Sequence, residues 1–462
     1  MTHIERRPVS HVPARLVRLE AAGSRLGRQL TDSLDVPLRA YLKGLIPKRK
    51  ESPANRHLLR VSHALAQMLD KQGHPDVDDV CTQFLNVPVI QQADHSNLLL
   101  DEETFLNNLL FAAGCRESGV RWMITSQCST VSCLSRRNPV AGPVFLRTRG
   151  RVHNVFSLSN RTYKNSSFCS LPGPLTIKLD VMSGNCDARR DDPIFDLMVG
   201  FCATDAPTAY RICNDKIWSR LDGDATVPRI GVDETMTSHV AADHIEDPYS
   251  PVHRLLFDTP VRDQFLQTKR RLIRSPRNLC VNRAPPDFLW YRKNTRLVPV
   301  ILLGSGSKAQ FVLEDSGEEL PIAYRTTDMA AALRGGQLFV DRILAYLVRC
   351  LLPGVTAVGG TSQQDYVALY QEMLLACHEA HPFMDEAEIV AVSRPDASRL
   401  GGAPLLELDE EQRETIANLG HKTALDAFLR LSLARTVGET IGDLRCAEYI
   451  DVTLDKMERQ LQ

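Results

Sequence analysis

The 462-residue sequence predicts an α/β fold in which helices flank a mostly parallel sheet, with helical additions at the N-terminal and C-terminal ends. Three observations carry this assignment. Apolar runs at Val87 to Ile90 and Val120 to Thr125 enclose a helical pattern, so this stretch reads strand, helix, strand. A related unit comes late, where Val355 to Val358 reaches Gly359 and Gly360 and a helix continues through Leu375. The apolar fraction of 43% and formal charge of -1 belong to an ordinary globular chain with enough length for a large core.

The expected organisation is 1–85 as a helical cap, 86–384 as the α/β core with inserted hairpins and helices, and 385–462 as a helical C-terminal region. In the cap, Leu16, Leu19, Leu26 and Leu30 form one apolar stripe. Leu58, Leu59, Val61, Leu65 and Leu69 form another, beyond a basic loop around Lys48, Arg49, Lys50 and Pro53.

The first core strand ends abruptly in Gln91, Gln92, Asp94, His95, Ser96 and Asn97. Asp101 then supplies an N-cap, and Glu102 and Glu103 an acidic first turn that suits the positive end of a helix. Phe105, Leu106, Leu109, Leu110 and Ala113 share one face, and Gly119 stands where a helix stops. The second strand runs into Ser126, Gln127, Cys128, Ser129 and Thr130. A crossover of this kind joins parallel strands, and open sheets bind ligands at the carboxyl ends of such strands. Both polar tails are therefore site candidates, with polar surface loops as the plain alternative.

Val144 to Thr148 and Val152 to Leu158 alternate as a hairpin around Arg149 and Gly150. In the polar segment that follows, Lys164 and Asn165 could hold a carboxylate or phosphate. Short helices are expected around Ile194 to Phe201 and Ala209 to Leu221. His239, Asp243, His244, Glu246 and His253 are metal-competent, but His239 and His244 lack the four-residue spacing that sets two imidazoles on one helix face.

Val298 to Leu303 is an apolar strand ending in Gly304, Ser305, Gly306 and Ser307, glycines that would let a backbone approach a phosphate without completing a nucleotide-binding fingerprint. Gln310 to Leu313 and Leu320 to Tyr324 suggest a hairpin over Ser316 and Gly317. Gln337 to Leu352 reads as an amphipathic helix stopped by Pro353 and Gly354. After the next strand, Gly359 and Gly360 permit a tight turn that puts Gln364, Asp365 and Tyr366 at a helix start, where capping would equally account for Asp365. Two amphipathic stretches, Glu411 to Ala434 and Ile441 to Leu461, end the chain and are expected to pack on their own domain or on a second subunit of a homodimer.

The near-neutral charge argues against bulk nucleic-acid attraction, and the run Lys269, Arg270, Arg271, Arg274 and Arg277 reads as a solvated helix face. No stretch approaches the ~20 apolar residues of a membrane span, and there is no apolar signal core, so no membrane partner and a cytoplasmic location are expected. The twelve cysteines contain no CxxC pair; Cys202, Cys350 and Cys377 sit in apolar contexts as reduced, buried thiols, whereas Cys128 and Cys133 lie in a polar segment.

Val89, Ile90, Gln91 and Gln92 in the first unit, with Leu352, Pro353, Gly354, Val355, Gly359, Gly360 and Tyr366 in the last, give an arrangement that resembles the cysteine-adding enzymes of bacillithiol biosynthesis and their uncharacterised relatives. The resemblance implies a Rossmann-like core with added helical regions and a cleft at the strand ends. Members of that family join the amino group of an aminosugar malate to cysteine. Here Gln127, Cys128 and Ser129 stand where those relatives carry an acidic and histidine-rich tail.

The functional expectation is a biosynthetic enzyme that modifies or conjugates an amino acid or polar amine. His95 would be the general acid or base with Asp94 orienting it, and Cys128 a reserve nucleophile. Gln91, Gln92, Asn97, Gln127, Lys164, Asn165, Gln364, Asp365 and Tyr366 would bind the small-molecule substrate, and Gly304, Ser305, Gly359 and Gly360 a cofactor. The cofactor is left open between a nucleotide and a divalent metal, the latter through His95 with His239 or His244. The alternatives are a metal-dependent oxidative or hydrolytic tailoring enzyme and a noncatalytic ligand-binding or assembly protein.

Overall fold

The computed structural model describes residues 16–441, except 17–19, 22, 48–54, 93–96, 127–142, 149–150, 159–167, 169–170, 184–195, 197, 221–226, 275–285, 295, 305–307, 403–404, 407 and 409–421. The chain opens with helices α1 (Arg25–Thr31), α2 (Leu38–Leu45), α3 (Arg56–Lys71) and α4 (Val77–Asn86). Leu58, Val61, Leu65 and Leu69 are buried along α3 as their spacing requires, whereas Leu59 is 51% exposed and lies off the stripe.

Strand β1 (Val89–Gln91), helix α5 (Glu102–Glu117) and strand β2 (Met123–Ser126) form the expected unit, and the Asp101 carboxylate accepts from the Thr104 amide to cap α5. Next, β3 (Phe145–Thr148) and β4 (Arg151–Asn154) make the expected hairpin. A separate pair, β5 (Pro172–Thr176) with β7 (Cys202–Asp205), encloses β6 (Asp180–Ser183), which pairs with β4. Helix α6 (Ala206–Ser219) leads to β8 (Arg229–Val232), and α7 (Glu234–Glu246), α8 (Pro251–Phe257) and α9 (Thr259–Ile273) follow.

An antiparallel sheet is then built from β9 (Leu289–Lys293), β10 (Arg296–Leu303), β11 (Gln310–Leu313) and, beyond α10 (Thr326–Arg334), β12 (Leu338–Val340). Helix α11 (Arg342–Tyr346) continues as a π-helical turn over Leu347–Leu351. The last elements are β13 (Thr356–Gly359), α12 (Thr361–Ala380), α13 (Glu386–Ser393), β14 (Ser398–Leu400), α14 (Lys422–Leu433) and α15 (Val437–Thr440).

Five of these strands pair in parallel in the order β14-β13-β1-β2-β8. Successive side chains on a strand point to opposite faces, and the core divides accordingly. Val89, Met123, Val358 and Leu400 join the core containing Phe105 and Leu109 of α5. Ile90, Ile124 and Ala357 join the other, with Leu65 of α3, Val240 of α7 and Val367 of α12.

Several elements differ from the sequence expectation. Leu338–Val340 is not the start of a helix but a strand against β9, because Gly335 and Gly336 end α10 ahead of it and Asp341 caps α11 behind it. The region beyond residue 385 is not wholly helical, since β14 completes the edge of the parallel sheet. Opposite β11 only the single bridge from Val312 to Glu319 forms, so Leu320 to Tyr324 is not a strand. Cys350 and Cys377 are buried, but Cys202 is exposed at the start of β7, in a two-stranded sheet that cannot cover both of its faces. No helix among the described residues is long and apolar enough to cross a membrane.

Candidate functional site

Strand β1 leaves through α5 to β2 on one side of it, whereas β13 leaves through α12 and α13 to β14 on the other. Connections that diverge from neighbouring strands leave a crevice at their carboxyl ends, the recurrent ligand position of open α/β sheets. Gln91 lies opposite Val358, and the Gln92 amide donates to the Val358 carbonyl at 2.6 Å, so the first polar tail begins at this switch point.

The Gln92 side chain, on the same face as Ile90, is 5% exposed and meets a cation that the sequence reading did not single out. Arg349 projects from the π-helical turn, a widening of the helix that recurs at functional sites. One of its terminal nitrogens donates to Gln92 Oε1 at 2.8 Å. The other donates to Ser126 Oγ at 3.1 Å and Thr237 Oγ1 at 3.2 Å. One guanidinium thus joins the ends of β1 and β2 to α7. Gln92 Nε2 also approaches Cys350 Sγ at 3.6 Å. Burial pushes the Cys350 thiol up to about 11 despite the nearby Arg349 and Arg394, so it is protonated at neutral pH and is not a ready nucleophile.

On the β13 side, Gly359 is packed closely by a side chain. A Cβ there would lie 1.9 Å from Gln363 Oε1, so the glycine makes room for a side chain that folds back on the strand. Gln363 Nε2 donates to the Ala357 carbonyl at 2.9 Å and Ser398 Oγ at 3.0 Å, and Gln363 Oε1 accepts from the Tyr346 hydroxyl at 3.0 Å. Gly360, by contrast, has open space at its Cβ position and extended backbone as the N-cap of α12.

The three residues expected to share a cleft at the start of α12 diverge. Gln364 is 3% exposed, and its Nε2 donor has no partner among the described residues. Asp365 instead accepts from the Arg25 amide at 3.1 Å and from Ser24 Oγ at 3.2 Å, holding the first turn of α1. It is therefore engaged away from the role of meeting a substrate cation. Tyr366 is buried, with its hydroxyl 2.7 Å from that of Tyr346.

Other expected site residues fall elsewhere. The carbonyl of Asn97 accepts from Asn214 Nδ2 at 3.0 Å. Gly304 ends β10 in the separate antiparallel sheet; its φ of 76° and a Cβ position 2.9 Å from the Lys308 carbonyl mark a hairpin turn, which corrects its assignment beside the cofactor glycines of β13. Asp94, His95, Gln127, Cys128, Cys133, Lys164, Asn165 and Ser305 lie outside the described residues.

The metal-competent cluster on α7 and α8 separates into structural roles. His244 is fully buried with Nδ1 2.7 Å from Ser250 Oγ, and Nδ1 of His253 is 2.6 Å from the Ile245 carbonyl. Asp243 and Glu246 both bind Arg334. Among the described residues no group of three or more histidine, cysteine, aspartate or glutamate side chains could hold a metal ion. An open groove of ≈ 480 Å³ lies over later turns of α12, beside Arg25, Gln371, Glu372 and Glu379, and shares no side chain with the Arg349 cluster.

Compared with protein-family models the chain matches none, and compared with curated proteins it likewise matches none.

Proposed function

We propose that this chain is a small-molecule enzyme with a Rossmann-like core, which binds an amino acid or polar amine at the carboxyl ends of β1 and β13 and modifies or conjugates it. The observation that carries this reading is the switch point itself. Gln92 and the first turn of α12, with Nε2 of Gln364 unpartnered among the described residues, flank the place where connections diverge in a wholly parallel sheet. The resemblance to the cysteine-adding enzymes supports the same cleft. In this reading His95 is the acid or base, Asp94 orients it, and Cys128 is the reserve nucleophile.

A thermal-shift panel of amino acids, ATP and ADP on the full chain, followed by a turnover assay with whichever compounds stabilise it, tests the proposal. At least one amino acid is expected to raise the melting temperature. His95→Asn should retain that binding and lose at least ~100-fold of the rate, the usual contribution of a positioned acid or base. Binding with no turnover by the unmodified protein would favour a noncatalytic recognition protein, and an unchanged rate in His95→Asn would remove that residue from the chemistry.

A further inference from the structure

We propose that Arg349 receives an oxyanion, a carboxylate or a phosphate, of the small molecule bound at the carboxyl edge of the parallel sheet. This inference rests on the ligand position argued above and adds the charge that the ligand carries.

The case begins with how the molecule treats its other buried cations. Lys269 meets Asp341 at 2.6 Å, Arg229 meets Asp215 at 3.1 Å, and Arg262 meets Asp263 at 3.0 Å. Each of these cations has a carboxylate within ion-pair distance. Arg349, at 2% exposed, is the exception: its partners are the neutral oxygens of Gln92, Ser126 and Thr237, and no carboxylate pairs with it among the described residues. An arginine does not shed its proton in a protein interior, so its charge persists there. Neutral dipoles orient a guanidinium but leave its charge in place.

A second observation is independent of that charge. Among the described residues, Nε of Arg349 has no hydrogen-bond partner, and neither does Nε2 of Gln364 in the first turn of α12. Buried donors are normally paired, and an orphaned one has a cost. A carboxylate or phosphate supplies acceptors and negative charge together, which answers both observations at once. The first turn of the 20-residue helix α12 adds a positive dipole at the same end.

The competing account makes Arg349 a brace between β1, β2 and α7. A brace needs its hydrogen bonds but gains nothing from added anions. The test is the melting temperature of the unmodified protein titrated with sodium phosphate and, separately, sodium acetate, with ionic strength held constant by sodium chloride. A saturable rise with at least one probe is expected; phosphate alone would indicate a phosphoryl group, and acetate a carboxylate.

Arg349→Met should abolish that rise. Arg349→Lys keeps the charge but loses the planar fork, and should weaken the fitted affinity roughly tenfold, the equivalent of about one charge-assisted bond. It also serves if the methionine variant does not fold. No saturable rise in the unmodified protein, a rise that survives in Arg349→Met as an adventitious ion only, or unchanged affinity in Arg349→Lys would each overturn the inference. An anion response with no turnover of any compound would leave it standing and count against the enzyme reading alone.

Discussion

At the scale of single residues, adjacent glutamines at the start of α12 behave in opposite ways. Gln363 makes hydrogen bonds to β13, to Ser398 of β14 and with Tyr346, whereas the Nε2 of Gln364 makes none among the described residues. Replacing each with methionine, of similar length and without polar atoms, should separate structure from function. Gln363→Met is expected to lose about 2–3 kcal/mol in urea unfolding, three bonds at roughly 1 kcal/mol each. Gln364→Met should stay within ~0.5 kcal/mol of the parent or exceed it, since it removes a buried donor that has nothing to bind. A large loss in the second variant would make Gln364 a structural residue. The sequence placed Gln364, Asp365 and Tyr366 together, yet consecutive helix positions point about 100° apart, so they reach different neighbours. Arg349 escaped notice for another reason. It lies within the apolar run Leu347, Val348, Cys350 and Leu351, where the pattern reads as plain core. A lone charge inside such a run is itself a signal, because a buried charge requires an explanation.

At the scale of elements, α3, α7 and α13 meet through ionisable groups. The rings of His57 and His244 stack at 5.1 Å, and His57 Nε2 lies 2.7 Å from Glu388, which Arg56 also contacts. Burial holds the His244 imidazole well below its ordinary value, with His57, Arg60 and Arg56 adding repulsion. It is therefore neutral in the folded chain but takes a proton in the unfolded chain below pH 6.5. The unfolded state binds more protons in that window, so stability is complete above pH 6.5 and falls as the pH drops below it. Burial pushes Glu388 up, but its bonds to His57 and Arg56 outweigh this and hold it below the usual carboxylate range. Its contribution is complete above the unfolded value near ~4.3 and is lost as the pH falls through the lower folded value. The urea midpoint should thus begin to fall just below pH 6.5, and His244→Asn should flatten the upper part of that decline. A profile with the same slope in both proteins would contradict this assignment. His244 and His253 had been grouped by sequence as metal-competent; their actual partners, Ser250 and the Ile245 carbonyl, are local contacts that composition does not reveal.

At the scale of the whole molecule, the parallel sheet draws its strands from residues 89 to 400, and both terminal regions close around its edge. The Tyr41 hydroxyl donates to the Leu400 carbonyl at 2.7 Å, the Leu38 amide to Arg435 at 2.8 Å, and the Val437 amide to Val36 at 2.9 Å. Strand β1, α5, β2 and β13 were legible because their apolar runs are bounded by caps, glycines and polar tails. Strands β12 and β14 were not, since pairing with distant strands decides their state. The switch point followed from neither pattern alone, because strand order is a tertiary property. The most direct measurement of the central claim is an anomalous difference map from crystals of the unmodified protein soaked in selenate, a tetrahedral oxyanion with a selenium signal. The expected result is a peak within hydrogen-bond reach of the Arg349 side chain, lost in Arg349→Met; selenium peaks confined to other parts of the molecule would contradict it.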